Sequence, residues 1–223
     1  MIDLVLAALT AAAPCPQLPL TPGTSWTYRA EVAWSAVGAD SVQRTTIDWT
    51  TTILTVETRD STSVATVRDW PTGLAWWEPD QPPVTSLLVC IAERIYHVEP
   101  LEGVTQALVD SLLTGLRRPT ADELILRFPL RTDDLFGRDA ADRDDTLYAW
   151  YVESSQPIPA ELAGLRAGLS DSLYTLAYRS LPDHQLVDFV PGLGVTRYVY
   201  GHHGTVAEAS AVLVGYYAGR AAQ

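Results

Sequence analysis

The sequence contains four histidines, the first side chains to consider for acid–base chemistry or metal binding. His97 is isolated, His184 follows Asp183 in SLPDH, and His202 and His203 are adjacent. The common signatures of metal sites, His-Glu-x-x-His, Cys-x-x-Cys and the carboxylate-rich calcium loop, are absent from the sequence. Consecutive residues of a strand point to opposite faces, so the two adjacent histidines are not expected to reach one ion. We predict no metal site and no cofactor.

Nucleophilic catalysis needs a serine or cysteine beside a base, and the sequence offers weak candidates for it. No Gly-x-Ser-x-Gly elbow is present. Ser180, Asp183 and His184 are close in sequence, but the Pro-Asp step between them is typical of a turn, and such neighbours seldom have the geometry of a triad. We predict no catalytic residue. The alternative is a hydrolase that uses His184, or the pair His202 and His203, with loop carboxylates.

The glycine-rich segment PGLG at 191–194 raises the question of a phosphate site. The dinucleotide fingerprint needs G-x-G-x-x-G, and the P-loop needs a lysine, a residue type that the sequence lacks. Proline fixes φ and glycine permits positive φ, which together favour a tight turn. We predict a reversal between the strands QLVDFV and VTRYVY.

Aromatic side chains are dense on the predicted strands, with seven tryptophans and ten tyrosines in the chain. Two interpretations stay open. The rings fill the core of a curved sheet, or they line a cleft for an apolar ligand between the sheet and a covering helix. The predicted ligand-binding residues are Trp26, Trp34, Trp49, Trp76 and Trp77.

Hydrophobic alternation predicts the elements that position these side chains. In SWTYRAEVAW, 25–34, every second residue is apolar, which is typical of a half-buried strand. VGAD at 37–40 predicts a turn, and QRTTIDWTTTILTVETRD the returning strand of a hairpin. Further short strands are predicted at SVATVRDW, GLAWWE, SLLVCIAE, RIYHVE, ILRFPL, TLYAWYVES, SLYTLAYRS, QLVDFV, VTRYVYGH and SAVLVGYYAG.

Two other segments depart from this alternation. Over 101–118, Val104, Leu108, Leu112 and Leu116 recur at helical spacing, which predicts an amphipathic helix. A helical turn is predicted at PAELAGLRAG, and the acidic segment 132–145 is predicted to be an exposed loop.

No linker divides the chain. We predict a mainly β fold with a single domain, 25–223, in which an antiparallel meander forms a strongly curved sheet or half-barrel with one amphipathic helix packed on it.

The N-terminal segment 1–13 resembles a signal peptide. An apolar run from Leu4 to Ala13 ends in small residues and is too short to span a bilayer, although Asp3 stands where a basic residue is usual. The alternative is a short buried helix. We predict export to the periplasm, envelope or exterior of a bacterium, no integral span in the mature chain, and an N-terminal arm at 14–24.

The chain has two cysteines, Cys15 and Cys90. In an exported protein an even number favours a disulfide, here one that pins the arm to the domain. A lipid anchor on Cys15 is disfavoured by Pro14, and two free thiols are expected if the chain is cytosolic.

The formal net charge is −12. An acidic surface repels nucleic acid and anionic lipid headgroups, so neither is predicted as a partner.

Three short motifs resemble those of a broad group of uncharacterised bacterial exported proteins. LPLTPGTSWTY carries the first motif at Pro19, Leu20, Gly23 and Trp26. LRFPLRTDDLFG carries the second, usually FPL-x-x-G-x-x-W, at Phe128, Pro129 and Leu130, with Asp134 and Phe136 at the positions usual for Gly and Trp. PGLGV carries the third, PGxGxV, at Pro191, Gly192, Gly194 and Val195. The resemblance implies an envelope or extracellular β-rich domain without an established activity, and it carries over no catalytic residue.

Together these features predict a non-enzymatic, exported or envelope-associated binding or structural module whose partner is an apolar small molecule or an envelope protein. Two alternatives remain, the hydrolase described above and a protein-interaction module that meets a basic partner through the acidic loop 132–145.

Overall fold

The computed structural model describes residues 15–35, 41–137, 145–163, 165, 170–204 and 206–219. Its main feature is a sheet of twelve strands. In chain order these are β1 (Ser25–Ser35), β2 (Val42–Arg59), β3 (Thr62–Arg68), β4 (Thr85–Ile91), β5 (Arg94–Val98), β6 (Leu124–Arg127), β7 (Leu135–Gly137), β8 (Ala149–Pro157), β9 (Ser172–Arg179), β10 (Asp183–Val190), β11 (Gly194–His202) and β12 (Ala207–Tyr217). The helices are a 3-10 helix (Pro71–Trp76), α1 (Gln106–Leu113) and α2 (Ala160–Ala163).

The sheet is an antiparallel meander that nearly closes into a barrel. Its strand order is β6-β5-β4-β3-β2-β1-β12-β11-β10-β9-β8-β7. Strands that are consecutive in sequence therefore pair, except β6 and β7, and β1 also pairs with β12. The remaining gap lies between β6 and β7, where the Arg127 guanidinium donates to the Leu135 carbonyl oxygen at 3.3 Å. The predicted mainly β, strongly curved meander is therefore confirmed.

The inner face of the sheet holds the main core, and β1 shows how the sequence builds it. Trp26, Tyr28, Ala30 and Val32 alternate along the strand and are all buried. The facing strand β12 contributes mainly small side chains at 207, 209 and 211, and Ala211 lies directly opposite Ala30. Large rings on one strand and alanines on the next fill the interior without crowding, as close packing requires.

The N-terminal arm closes one end of the barrel, which we call the closed end. Cys15 and Leu18 are buried there, and the Cys15–Cys90 disulfide ties the arm to β4 with a Cα–Cα distance of 6.0 Å. A cross-link between residues 75 positions apart stabilises the fold by about 4 kcal/mol in the chain-entropy model. The predicted disulfide is present, and it anchors the arm as the sequence suggested.

The PGLG segment is the predicted turn between β10 and β11, and it packs against the arm. The Gly192 amide donates to the Gln17 carbonyl oxygen at 2.9 Å, and the Trp26 indole donates to the Leu193 carbonyl oxygen at 2.6 Å. Gly194 has a φ of +108°, which glycine adopts readily. The turn is therefore part of the packed closed end.

Helix α1 packs on the outer face of the sheet, over β3 to β5. Val109 and Leu112 are buried against Val64, Leu87 and other apolar residues of that face. The helix is shorter than the predicted 101–118. Thr105 caps its start by accepting from the Leu108 amide, and Gly115 follows its end with positive φ.

Two sequence predictions were wrong. GLAWWE is not a strand, since its first four residues lie in the 3-10 helix, which Pro71 favours because it lacks an N–H and has a φ suited to the first turn. The acidic loop 132–145 is not wholly exposed, since Leu135–Gly137 forms β7 and Phe136 is buried. The left-handed residue of this turn is Asp133, with a φ of 70°. Counted from Phe128, Asp133 and not Asp134 occupies the Gly position of FPL-x-x-G-x-x-W.

We expect Gly194→Ala to destabilise the closed end. An added Cβ would lie 3.1 Å from the Trp26 Nε1 atom and 3.2 Å from Leu18 Cδ1. Gly204, whose φ is +118°, has no atom within 4 Å of that position, so Gly204→Ala is a control for backbone strain alone. Urea denaturation should show a free energy of unfolding lower by about 1–3 kcal/mol in Gly194→Ala than in the control. Equal losses would show that the contact has no energetic role.

Candidate functional site

The opposite, open end of the barrel holds a cleft of about 470 Å³. It lies between the 3-10 helix and the ends of β5, β6, β10 and β11. Its described lining includes four carboxylates, five Trp and Tyr rings, one histidine and one glutamine, but no arginine or lysine. The cleft is therefore both acidic and aromatic.

Asp183, the first residue of β10, organises one wall. Its Oδ1 atom accepts a hydrogen bond from the Tyr200 hydroxyl at 2.6 Å and lies 2.8 Å from His202 Nδ1. Its Oδ2 atom accepts from the Ser180 hydroxyl at 3.0 Å. Burial acts to raise the pKa of Asp183, but these hydrogen bonds outweigh it and lower the pKa from its usual value. The group is a well-satisfied carboxylate that fixes the tyrosine and the histidine.

Trp76 is the most exposed aromatic ring of the cleft, with 59% of its surface accessible. Its ring lies 4.9 Å from that of His202 and 5.8 Å from that of Tyr200, between centroids. The 3-10 helix carries Trp76 to this place because Pro71 and Leu74 on its other side are buried. A large exposed ring held by two others is preorganised for contact with a ligand.

Trp49 supports the 3-10 helix from within. Its indole donates to the Asp69 carbonyl oxygen at 2.8 Å, and the Thr51 hydroxyl donates to the same oxygen. Gly73 of the 3-10 helix lies so close that a Cβ there would be 3.3 Å from the Trp49 ring. Trp49 therefore positions the helix that presents Trp76.

The wall opposite Asp183 begins at β5 with His97, whose side chain is only 7% exposed. Its Nε2 atom lies 2.8 Å from the Ser86 hydroxyl oxygen, and its Nδ1 atom lies 3.4 Å from the Glu99 carboxylate. Burial lowers the pKa of His97 to about 3. The nearby carboxylate would favour the charged form, but its side chain is 63% exposed and water screens it, so burial decides.

The acidic residues of the loop that precedes β6 complete the cleft. Glu123 pairs with the Arg117 guanidinium at 2.7 Å and accepts from the Thr120 amide. Asp122 is exposed at the rim. One of the four carboxylates is thus neutralised by an arginine.

The structure separates the five tryptophans predicted to bind a ligand. Trp26 and Trp49 are buried, and Trp34 and Trp77 pack edge to face with centroids 5.0 Å apart. Among these five, Trp76 is the one that lines the cleft. Below it, the apolar space beside Trp70 and Phe189 measures about 30 Å³, the volume of one water molecule.

Helix α1, one boundary of the apolar cleft in the second interpretation of the aromatic residues, does not border the open-end cleft. Helix α1 lies on the outer face of the sheet, and its buried residues pack there. Leu116, expected on its apolar face, lies beyond its end and is 88% exposed. The open-end cleft is bounded by the 3-10 helix instead.

The histidines of the hydrolase alternative fall on different sides of the sheet. His184 pairs with Gly201 in register, on the face opposite to Asp183 and His202. In a triad the histidine lies between the nucleophile and the acid, whereas the Ser180 hydroxyl bonds directly to Asp183. No three His, Cys, Asp or Glu side chains within the described ranges are grouped so that they could hold a metal ion.

A second depression, of about 480 Å³, lies on the outer face across β2, β1, β12, β11 and β10. His184 lines it, and its Nε2 atom is buried without a partner in the described structure. Its Arg44 and Glu208 pair with each other at 3.3 Å. With Tyr200 as its one aromatic residue, this surface lacks the aromatic wall of the open-end cleft.

Sequence reasoning missed the residues that build the cleft. The spacing of two residues predicts that one face of β11 carries polar aromatic side chains, those of Tyr198, Tyr200 and His202. Glu99 and Asp122 carried no such signal.

Three predictions fall wholly or partly outside the described residues. These are the segment 1–13, the turn at 37–40, and residues 138–144 of the acidic loop that was predicted to meet a basic partner.

Comparisons with known proteins give a limited result. No protein-family model matches the chain, and no curated protein matches it significantly. Two solved structures are similar, each matching 91% of this chain and 99% of its own. One is a candidate exported protein with a YmcC-like fold from Bacteroides fragilis, at 11% identity and a TM-score of 0.44. The other is a candidate lipoprotein from Parabacteroides distasonis, at 13% identity and a TM-score of 0.37. None of the described helices is long and apolar enough to cross a membrane.

We expect His97 to make the fold sensitive to acid. Its pKa is about 3 in the folded protein and about 6.5 in the unfolded chain, so below pH 6.5 the unfolded chain binds a proton that the folded protein does not. The free energy of unfolding should fall by about 2 kcal/mol between pH 7 and pH 5 from this group. Urea denaturation of the wild type and His97→Gln over this range checks it. If the difference in free energy of unfolding between wild type and His97→Gln does not change with pH, His97 is not the source of the acid sensitivity.

Proposed function

We propose that the protein is an exported, non-enzymatic binding module whose ligand occupies the open-end cleft. The observation that carries this proposal is Trp76, a large apolar ring exposed to 59% in a cleft of ligand size. Exposing such a ring forgoes the free energy of burying it. A ligand that covers the ring would recover that free energy.

Two features support export. The segment 1–13 has the apolar core and small-residue end of a signal peptide. The Cys15–Cys90 disulfide joins the arm directly after it to the folded domain, and structural disulfides persist in oxidising compartments.

The geometry favours binding over catalysis. Both carboxylate oxygens of Asp183 are engaged by neighbouring side chains, and its pKa is lowered, so it is poorly suited to accept a proton near neutral pH. His97 is buried and neutral. The Ser180 hydroxyl donates to an acid and has no described histidine as its base.

The cleft also refines the class of ligand. An entirely apolar molecule would fit an enclosed apolar cavity, whereas the apolar pocket beside Trp70 and Phe189 measures about 30 Å³. The open-end cleft combines rings with carboxylates. We therefore propose a ligand with both an apolar and a polar part, held against Trp76.

Export predicts a shortened and oxidised mature chain. When the full sequence is expressed in a bacterial host and recovered from the envelope or culture fluid, intact mass should show cleavage near Ala13. Reduction should add two hydrogens, because both cysteines are engaged in the disulfide. Recovery of the uncleaved chain in the cytosol with two free thiols would contradict the proposal.

Binding at the cleft predicts a selective effect of Trp76→Ala. We expect small molecules that bind the wild type in saturation-transfer NMR to lose at least tenfold in affinity in this variant, about 1.4 kcal/mol. Tyr217→Ala is the control, because Tyr217 has a similar exposure, 58%, at the closed end of β12. Ligands that bind both variants equally, or a broad small-molecule library without a ligand, would contradict the proposal.

A further inference from the structure

Building on the proposed function, we infer that the cleft binds an organic cation, an alkylammonium or quaternary ammonium group with apolar substituents. The inference rests on the juxtaposition of uncompensated carboxylates with an open aromatic ring. It names the class of ligand that the proposed site would take.

The charges around the cleft favour a cation. Glu123 is neutralised by Arg117, but Glu99 and Asp122 have no arginine partner among the described residues. Asp183 keeps its negative charge, since hydrogen bonding lowers its pKa. With a net charge of −12 on the whole chain, a cation is attracted to the cleft and an anion is repelled.

The aromatic wall favours a cation that is weakly hydrated. A cation within about 6 Å of the centroid of an indole ring is attracted by the negative face of the ring, and cages of such rings recognise quaternary ammonium groups. Trp76 lines the same cleft as Glu99 and is accessible there, whereas the Tyr198 and Tyr200 rings of the lining are buried. Methyl groups around a nitrogen would contact the Trp76 ring while the positive charge stays near the carboxylates.

Other ligand classes use the cleft less well. A metal ion needs several converging ligands, and the described residues provide no such group. Phosphate or carboxylate ligands would meet acidic residues without an arginine on the lining. A neutral sugar could stack on Trp76 and donate hydrogen bonds, but it would gain nothing from the charge.

The test compares choline with 3,3-dimethyl-1-butanol, which has the same shape but carries a carbon in place of the charged nitrogen. Tryptophan fluorescence and proton NMR titrations of the mature protein at low salt measure both affinities. We expect choline to bind at least about tenfold more tightly than its neutral counterpart, and added salt to weaken only choline.

Matched variants locate the effect. Glu99→Gln should weaken choline several-fold and leave the alcohol unchanged, whereas Trp76→Ala should weaken both. Asp48→Asn is the control, because its side chain is 63% exposed, as that of Glu99 is, but lies on β2 and pairs with Arg29. It should leave choline binding unchanged.

The outcomes separate the two proposals. Equal affinities for choline and the alcohol, both reduced by Trp76→Ala, would overturn the inference that the ligand is a cation. They would still support the proposal that the cleft binds a ligand. Choline binding that Trp76→Ala and Glu99→Gln do not reduce would reflect the overall charge alone and overturn this inference. A failure to bind choline at any attainable concentration would also overturn it, while the library screen tests the cleft independently.

Discussion

The pairing of β1 with β12 joins the two halves of the sheet, β1 to β6 and β7 to β12, into one curved surface. The strands meet over ten residue pairs, from Ser25 with Tyr217 to Trp34 with Ala207. They lie almost the whole chain apart in sequence, so the pairing carries a large loop-closure entropy. All other strands pair with a neighbour in sequence. This one contact converts an open meander into a barrel with an inside, an outside and two ends.

The two ends of the barrel have different physical characters. At the closed end, the arm, the disulfide and the PGLG turn cover the core, and the Trp26 indole and Tyr28 hydroxyl donate to carbonyl oxygens of that region. At the open end, the polar groups of β10 and β11 satisfy one another around Asp183. One end is therefore built for stability, and the other keeps hydrogen-bonded polar groups beside water, where a ligand can reach them.

Support for the open end comes from side chains that never touch the cleft. Trp49 and Thr51 hold the Asp69 carbonyl oxygen, which fixes the strand end just before the 3-10 helix. Leu74 anchors that helix in the core. These packed and hydrogen-bonded groups hold the 3-10 helix that carries Trp76.

Most of the strands, the PGLG turn and the pairing of the two cysteines were predictable from the sequence, because alternation, turn residues and an even cysteine count are local or compositional signals. The short strand β7 was not. The sequence did not determine that GLAWWE is helical, since a short apolar run fits either structure, nor which tryptophans are core. That Trp76, Glu99 and Asp183 line one cleft follows from the tertiary structure and not from any pattern in the sequence. The alternation of side chains along a strand shows which face of the sheet a residue occupies. The curvature of the sheet and the β1–β12 pairing decide which strand ends lie close together.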